Sequence, residues 1–173
     1  MARAEEGTGP LGAREPRLPD PKGAAAPPEP RSDGRAACAC GFIHWDSPVP
    51  VVAAIVEHEG AVILARNKDW PEKMYGLVTG FLEKDETPEH GVKREVKEEL
   101  DLDATAVHLV GLYPFARRNE LIIAYHVPAS GTVRLNEELA DYRRIAPERL
   151  RPWDFGTGLA VRDWLARREA GAT

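Results

Sequence analysis

Residues 80–102 read GFLEKDETPEHGVKREVKEELDL. Eight of these residues are acidic (Glu83, Asp85, Glu86, Glu89, Glu95, Glu98, Glu99, Asp101) and four are basic (Lys84, Lys93, Arg94, Lys97). Thr87-Pro88 is a helix start: a hydroxyl able to cap free amides, then a proline where the missing N–H costs nothing. The spacing predicts a helix from there to about Leu100, with Val92, Val96 and Leu100 four apart on one buried stripe. Beside that stripe, Glu95, Glu98 and Glu99 stand at i, i+3 and i+4, within an arc of about 100°. One helix thus packs on a core and offers three carboxylates along its edge.

Like charges this close repel and raise one another's pKa unless a cation lies between them. A hard divalent cation with oxygen ligands answers that problem, and Mg²⁺ held partly through phosphate is the usual case. Gly91 faces the same side, and its missing side chain would leave room for an ion or a phosphate. Periodicity alone favours a plainer reading, in which interleaved Glu and Lys form a solvated, salt-bridged face with Lys93, Arg94 and Lys97 as partners.

On the N-terminal side, residues 49–57 (VPVVAAIVE) form a continuous apolar run suited to a strand buried on both faces. His58-Glu59-Gly60 is a turn, and residues 61–65 (AVILA) make a second strand, so the two are read as a hairpin. Leu77-Val78 is a short strand entering Gly80. On the C-terminal side, strands are expected at 106–113, 121–127 and near 142–145, then an amphipathic helix from Thr157 to about Arg168 that partly buries Leu159, Val161, Trp164 and Leu165. This order of elements predicts an α/β (α+β) fold, a mixed sheet with helices packed on it. Residues 1–36, rich in Pro, Gly and Ala, hold almost no large apolar side chains and are expected to be a disordered tail, leaving one domain over 37–173.

The 173 residues carry a net charge of −5, which argues against a nucleic-acid partner, since such binders need a basic field. No stretch approaches a membrane span, and the N-terminus lacks the apolar run of a signal peptide, so a cytoplasmic chain with no membrane partner is expected. Cys38 and Cys40 are the only cysteines and cannot make a four-thiolate zinc site, so they are read as free thiols and no zinc is expected.

The charged segment also resembles the Nudix box, G-x5-E-x7-R-E-U-x-E-E-x-G-U with U a bulky apolar residue. Gly80, Glu86, Arg94-Glu95-Val96 and Glu98-Glu99 match it at the right spacing, and Asp101 stands where the family has a glycine. That glycine ends the helix in a left-handed turn, which Asp tolerates better than most residues. Tyr75-Gly76-Leu77, Gly80-Phe81-Leu82-Glu83 and the flank CGFIHWDSPVPVVAAIV (40–56) are similar to the NADH pyrophosphatase branch. The zinc ribbon of that branch is missing. Of its second signature, S-Q-P-W-P-F-P-x-S, only Pro114-Phe115 survives in GLYPFARRNELIIAYH (111–126), so the NADH assignment does not carry over.

The resemblance implies a Nudix-type mixed sheet sandwiched between helices and a pyrophosphohydrolase. The implied reaction is Mg²⁺-dependent hydrolysis, with Mn²⁺ as a substitute, of a diphosphate bond in a nucleotide-like small molecule: ADP-ribose, a dinucleotide, a sugar nucleotide or a nucleoside triphosphate. It implies Glu95, Glu98 and Glu99 as metal ligands, Glu95 also as base toward water, and the Gly80 carbonyl as a further ligand. Glu138, with Glu137 as its neighbour, matches the mobile acid of a later loop, against the plainer reading of a solvated loop acid. Glu86 and Arg94 are the structural brace. Arg66 is a candidate phosphate ligand or an ordinary surface ion pair. Tyr113, Phe115 and Trp153 are candidates to stack on a base, or core residues. His90 is read as an exposed helix residue. The rival function is a non-catalytic Nudix-fold module that binds or senses a nucleotide. A homodimer is left open.

Overall fold

The structure is a computed structural model that describes residues 29–32, 35–37 and 43–171. The chain divides into two compact units, 1–47 and 48–173. Cys38, Cys40 and most of the tail lie outside the described residues, and with them the expected disorder and free thiols.

In the first unit, β1 (Glu29–Pro30), β2 (Ala36–Ala37) and β3 (Ile43–His44) pair antiparallel into a small sheet. Strand β1 and the first residue of β2 fall within residues 1–36. Strand pairing asks only for backbone amides and carbonyls, so a shortage of apolar side chains did not exclude it. The Arg35 guanidinium lies 4.3 Å from the centre of the Trp45 ring.

The second unit runs β4 (Val49–His58), β5 (Ala61–Asn67), β6 (Val78–Phe81), α1 (Pro88–Leu100), β7 (Asp103–Ala104), β8 (His108–Phe115), β9 (Glu120–Ser130), β10 (Leu139–Ile145) and α2 (Gly158–Glu169). Its seven-stranded sheet has the order β10-β5-β4-β9-β7, with β6 also on β4 and β8 also on β9. Only β4 and β9 pair in parallel, from Val49↔Glu120 to Glu57↔Pro128. Glu59 and Gly60, both with positive φ (48° and 75°), supply the twist that a two-residue β4–β5 hairpin needs.

The apolar run of β4 is covered on both faces. Val52, Ala54 and Val56 pack with Val92, Val96 and Leu100 of α1. Ala53 and Ile55 pack with Ala160, Val161 and Trp164 of α2, while Leu159 and Leu165 are only partly buried there. The fold is thus mixed α+β, a sheet between two helices.

The ends of α1 follow the sequence closely. Thr87 Oγ1 accepts from the His90 amide, and Asp101 adopts the left-handed conformation (φ 55°) with its N–H on the Lys97 carbonyl. The Asp101 carboxylate also pairs with Lys97 Nζ at 2.9 Å. Among the described residues, no helix is long and apolar enough to cross a membrane.

Candidate active site

A cleft of about 890 Å³ opens where the N-terminal half of β4 meets β6 and β9. Its floor crosses the sheet through Phe115 of β8, Ile122 of β9, Val51 of β4 and Thr79 and Phe81 of β6. Glu95, Glu98 and Glu99 of α1 line one wall, and Asn136 and Glu138, just before β10, line it too.

Gly80 explains how α1 comes so close to β6. A Cβ at Gly80 would fall on the Glu95 carboxylate, so only a residue without a side chain lets Glu95 lie against the strand. Gly91 does not leave an open space. A Cβ there would meet Glu86 Oε2 and Leu82 Cδ2, each at 2.9 Å, so the room expected for an ion or phosphate is filled by the loop that enters the helix.

Arg94 organises the acids around it. Its Nε and Nη2 donate to Glu86 Oε1 and Oε2 at 2.9 and 3.0 Å, a two-pronged pair that fixes the loop against the helix. Nη2 also donates to the Phe81 carbonyl at 3.1 Å. Nη1 donates to Glu95 Oε1 at 2.7 Å and to Glu98 Oε2 at 3.0 Å. The Arg94 guanidinium holds the Glu86 carboxyl below the usual carboxylate range. Burial outweighs the same arginine at Glu95 and raises its pKa.

Glu99 has no such partner: its carboxylate makes no hydrogen bond or ion pair among the described residues. Burial, then the charges of Glu95, Glu138 and Glu98, push its pKa up to about 8. Glu138 is therefore close enough to be felt at Glu99, whereas Glu137 does not line the cleft. Among the described residues, no three His, Cys, Asp or Glu side chains converge as placed to hold an ion.

Loops add most of the aromatic lining and two cations, Lys73 and Arg118, the latter 3.5 Å from Glu120 of β9, which also lines the cleft. The β5–β6 loop supplies Trp70, Lys73, Met74 and Tyr75, the β8–β9 turn supplies Arg118, and the approach to α2 supplies Trp153 and Phe155. Phe81 and Phe155 are 60% and 49% exposed, unusual for large apolar side chains. The approach to α2 is shaped by glycines: Gly156 takes a left-handed φ of 52°, and a Cβ at Gly158 would overlap the carbonyl and ring of Trp153.

Sequence reasoning named Phe115 and Trp153, which line the cleft, but missed Lys73, Arg118, Phe155 and Asn136, all on loops without a local pattern. Two of the candidate substrate contacts, Tyr113 and Arg66, lie outside the cleft lining. Tyr113 is buried beneath α2, where its hydroxyl donates to Asp163 Oδ2 at 2.9 Å. It lies two residues along β8 from Phe115, far enough to leave the cleft for the core. Arg66 does not line the cleft, because it sits opposite Asp141 in the β5–β10 ladder. His90 is exposed on α1, away from the cleft.

Comparison with known proteins agrees with this architecture. The NUDIX domain model matches residues 47–164. The NAD-capped RNA hydrolase NudC of Vibrio atlanticus is 32% identical over 104 residues, covering 59% of this chain and 39% of that protein. Its counterpart in Mycobacterium bovis is 31% identical over 126 residues, 70% of this chain and 38% of that protein. The chain thus spans less than two fifths of the length of these relatives. Among solved structures, a NUDIX hydrolase from Nitrosomonas europaea superposes with a TM-score of 0.67 at 22% identity, over 79% of this chain and 81% of that one. An ADP-ribose pyrophosphatase from Streptococcus suis does so with a TM-score of 0.59 at 20% identity, over 73% and 94%. The family match runs from the approach to β4 into α2 and takes in every element that lines the cleft; the chain belongs to the NUDIX domain family.

Proposed function

We propose that this chain hydrolyses a diphosphate linkage in a nucleotide-like small molecule, using a divalent cation held by Glu95, Glu98, Glu99 and Glu138. The observation that carries the reading is the carboxylate wall. Four acids line one side of a cleft, and the least solvated of them, Glu99, has no cationic partner.

The donor set suits a hard cation, magnesium in the first instance and manganese as a substitute, because every ligand is an oxygen. Arg94 engages one oxygen each of Glu95 and Glu98, which leaves the second oxygen of both to join Glu99 and Glu138. The Gly80 carbonyl is a further candidate ligand beside Glu95. A bound cation would neutralise phosphate oxygens and lower the charge barrier to attack by water.

The protein's own part is positional. Arg94 holds Glu95 and Glu98 in register with the loop through Glu86, and Gly80 lets Glu95 lie against the strand. Glu95, whose pKa burial has raised, accepts the proton of the attacking water. The water oxygen bonds to phosphorus, the bridging P–O bond breaks, and the leaving oxygen departs on the second phosphate.

The aromatic lining supports a planar base at one end of the substrate. The chain has four each of Phe, Trp and Tyr, and six of the twelve line this cleft. The names of similar proteins, NAD-capped RNA hydrolase and ADP-ribose pyrophosphatase, point to the same chemistry, a diphosphate attached to a nucleoside. A screen for new phosphomonoester or pyrophosphate products from ADP-ribose, dinucleotides, sugar nucleotides, nucleoside triphosphates and NAD-capped RNA, with Mg²⁺ and then with chelator, tests the proposal. Mg²⁺-dependent turnover of at least one compound is expected. Tight nucleotide binding with no cleavage across the panel would overturn it in favour of a binding module.

A further inference from the structure

We infer that Asn136 is a positioning residue that fastens Glu138 to the C-terminal end of α1, so that the fourth carboxylate is held beside Glu99 instead of riding on a free loop. The inference rests on the proposed role of the carboxylate wall.

The last carbonyls of a helix have no partner within it and must find one elsewhere. Here the segment leading to β10 provides two. Arg134 N donates to the Leu100 carbonyl at 2.9 Å, and Asn136 N donates to the Glu99 carbonyl at 3.2 Å. The intervening Leu135 packs against the α1 side of the core. Residues 134–136 therefore lie as a strap across the end of the helix that carries Glu99.

The Asn136 side chain passes this constraint to Glu138. Its Oδ1 accepts from the Glu138 amide at 3.0 Å and from the Leu139 amide at 3.1 Å. From the other side, the Glu138 carbonyl accepts from Lys68 N at 2.9 Å, and Leu139 pairs with Asn67 as β10 begins. The Glu138 backbone is thus held both toward α1 and toward β5. A carboxylate on a mobile loop would need neither clasp. Asn136 itself lines the cleft, so the fastening lies at the site and not behind it.

The test is a double-mutant cycle on the full chain, read by Mn²⁺ affinity from electron paramagnetic resonance without substrate, and by kcat with it. If Asn136 acts through Glu138, Asn136→Ala and Glu138→Gln each weaken Mn²⁺ binding by about tenfold to a hundredfold. The double variant is then no worse than the poorer single variant. Asn136→Asp keeps the acceptor oxygen and restores most of the loss; because it preserves the turn, it also keeps the test decisive if the alanine variant folds poorly. Additive losses, wild-type Mn²⁺ affinity in Asn136→Ala, or a Glu138→Gln chain indistinguishable from wild type would each overturn the inference. The Mn²⁺ measurement stands apart from turnover: coupled losses in a chain that cleaves nothing would sink the proposed function and leave this inference in place.

Discussion

Gly80 and Glu95 occupy one space: the volume that any Cβ at Gly80 would fill is taken by the Glu95 carboxylate. Gly80 has an ordinary strand conformation and pairs with Val52, so its backbone has no need of glycine. The restriction comes wholly from its neighbour. Gly80→Ala is therefore expected to fold normally, within about 1 kcal/mol of wild type, because the obstructing atoms are the far end of a flexible side chain. Glu95 must swing away, and turnover should fall by about a hundredfold. Thermal melting and kcat together check this, and an active Gly80→Ala chain would contradict the close approach.

Glu99 lends itself to a test by pH. Its pKa in the folded, metal-free chain is about 8, against an ordinary value of 4.5. A carboxyl raised on folding holds its proton more tightly in the native state. Its cost to stability is absent below the lower value, grows as pH rises through the interval, and is complete above the upper one. Glu99→Gln should therefore raise the melting temperature of metal-free protein at about pH 8.5 and leave it unchanged at about pH 4. The same variant should lose turnover by orders of magnitude, and Glu98→Gln likewise. A melting temperature equally insensitive at both pH values would show that Glu99 is not held in this environment.

Metal binding carries a linked expectation. If the proposed cation binds through Glu99, it needs that carboxylate ionised, so binding below pH 8 should expel a proton, and affinity should rise with pH up to that point. Calorimetric titration of Mg²⁺ in buffers of different ionisation enthalpy measures the proton count. Binding heats independent of buffer at neutral pH would contradict it.

Arg94 is a case where charge alone will not serve. Its fork reaches both oxygens of Glu86, the Phe81 carbonyl, Glu95 and Glu98 at once. Lysine brings one point charge and no planar fork. Arg94→Lys should lower both melting temperature and kcat, since the same guanidinium ties the loop down and aligns two acids. Wild-type values for both in the lysine variant would show that the brace is dispensable.

Phe155 is exposed in the cleft with no evident part in the core. If it stacks on a base, Phe155→Ala should weaken inhibition by a nucleoside monophosphate about tenfold or more, while inhibition by inorganic pyrophosphate stays unchanged. Equal weakening of both inhibitors would argue that the residue shapes the cleft in general and does not recognise the base.

Wherever neighbouring residues decide the outcome, the sequence was informative. The capped start of α1, its Val92/Val96/Leu100 stripe and the buried run of β4 all express local patterns, and the structure has them. What escaped is set by contacts between distant segments. The space at Gly91 is closed by Glu86 and Leu82 from a folded-back loop, and Tyr113 is drawn under α2 by Asp163, fifty positions away. Tyr75 reaches Asp141 across 66 positions, joining a cleft loop to β10. The cleft's cations and Asn136 stand on loops, where neither hydrophobic pattern nor capping chemistry marks a residue in advance.

The one parallel ladder, β4 on β9, has a bearing on how the chain reaches its native form. Val51 and Ile122, side by side in the cleft floor, are separated in sequence by β5, β6, α1, β7 and β8. Hairpins such as β4–β5 and β8–β9 can close early, but this union waits until a long intervening segment has collapsed. During synthesis, the floor of the cleft cannot form before β9 has left the ribosome.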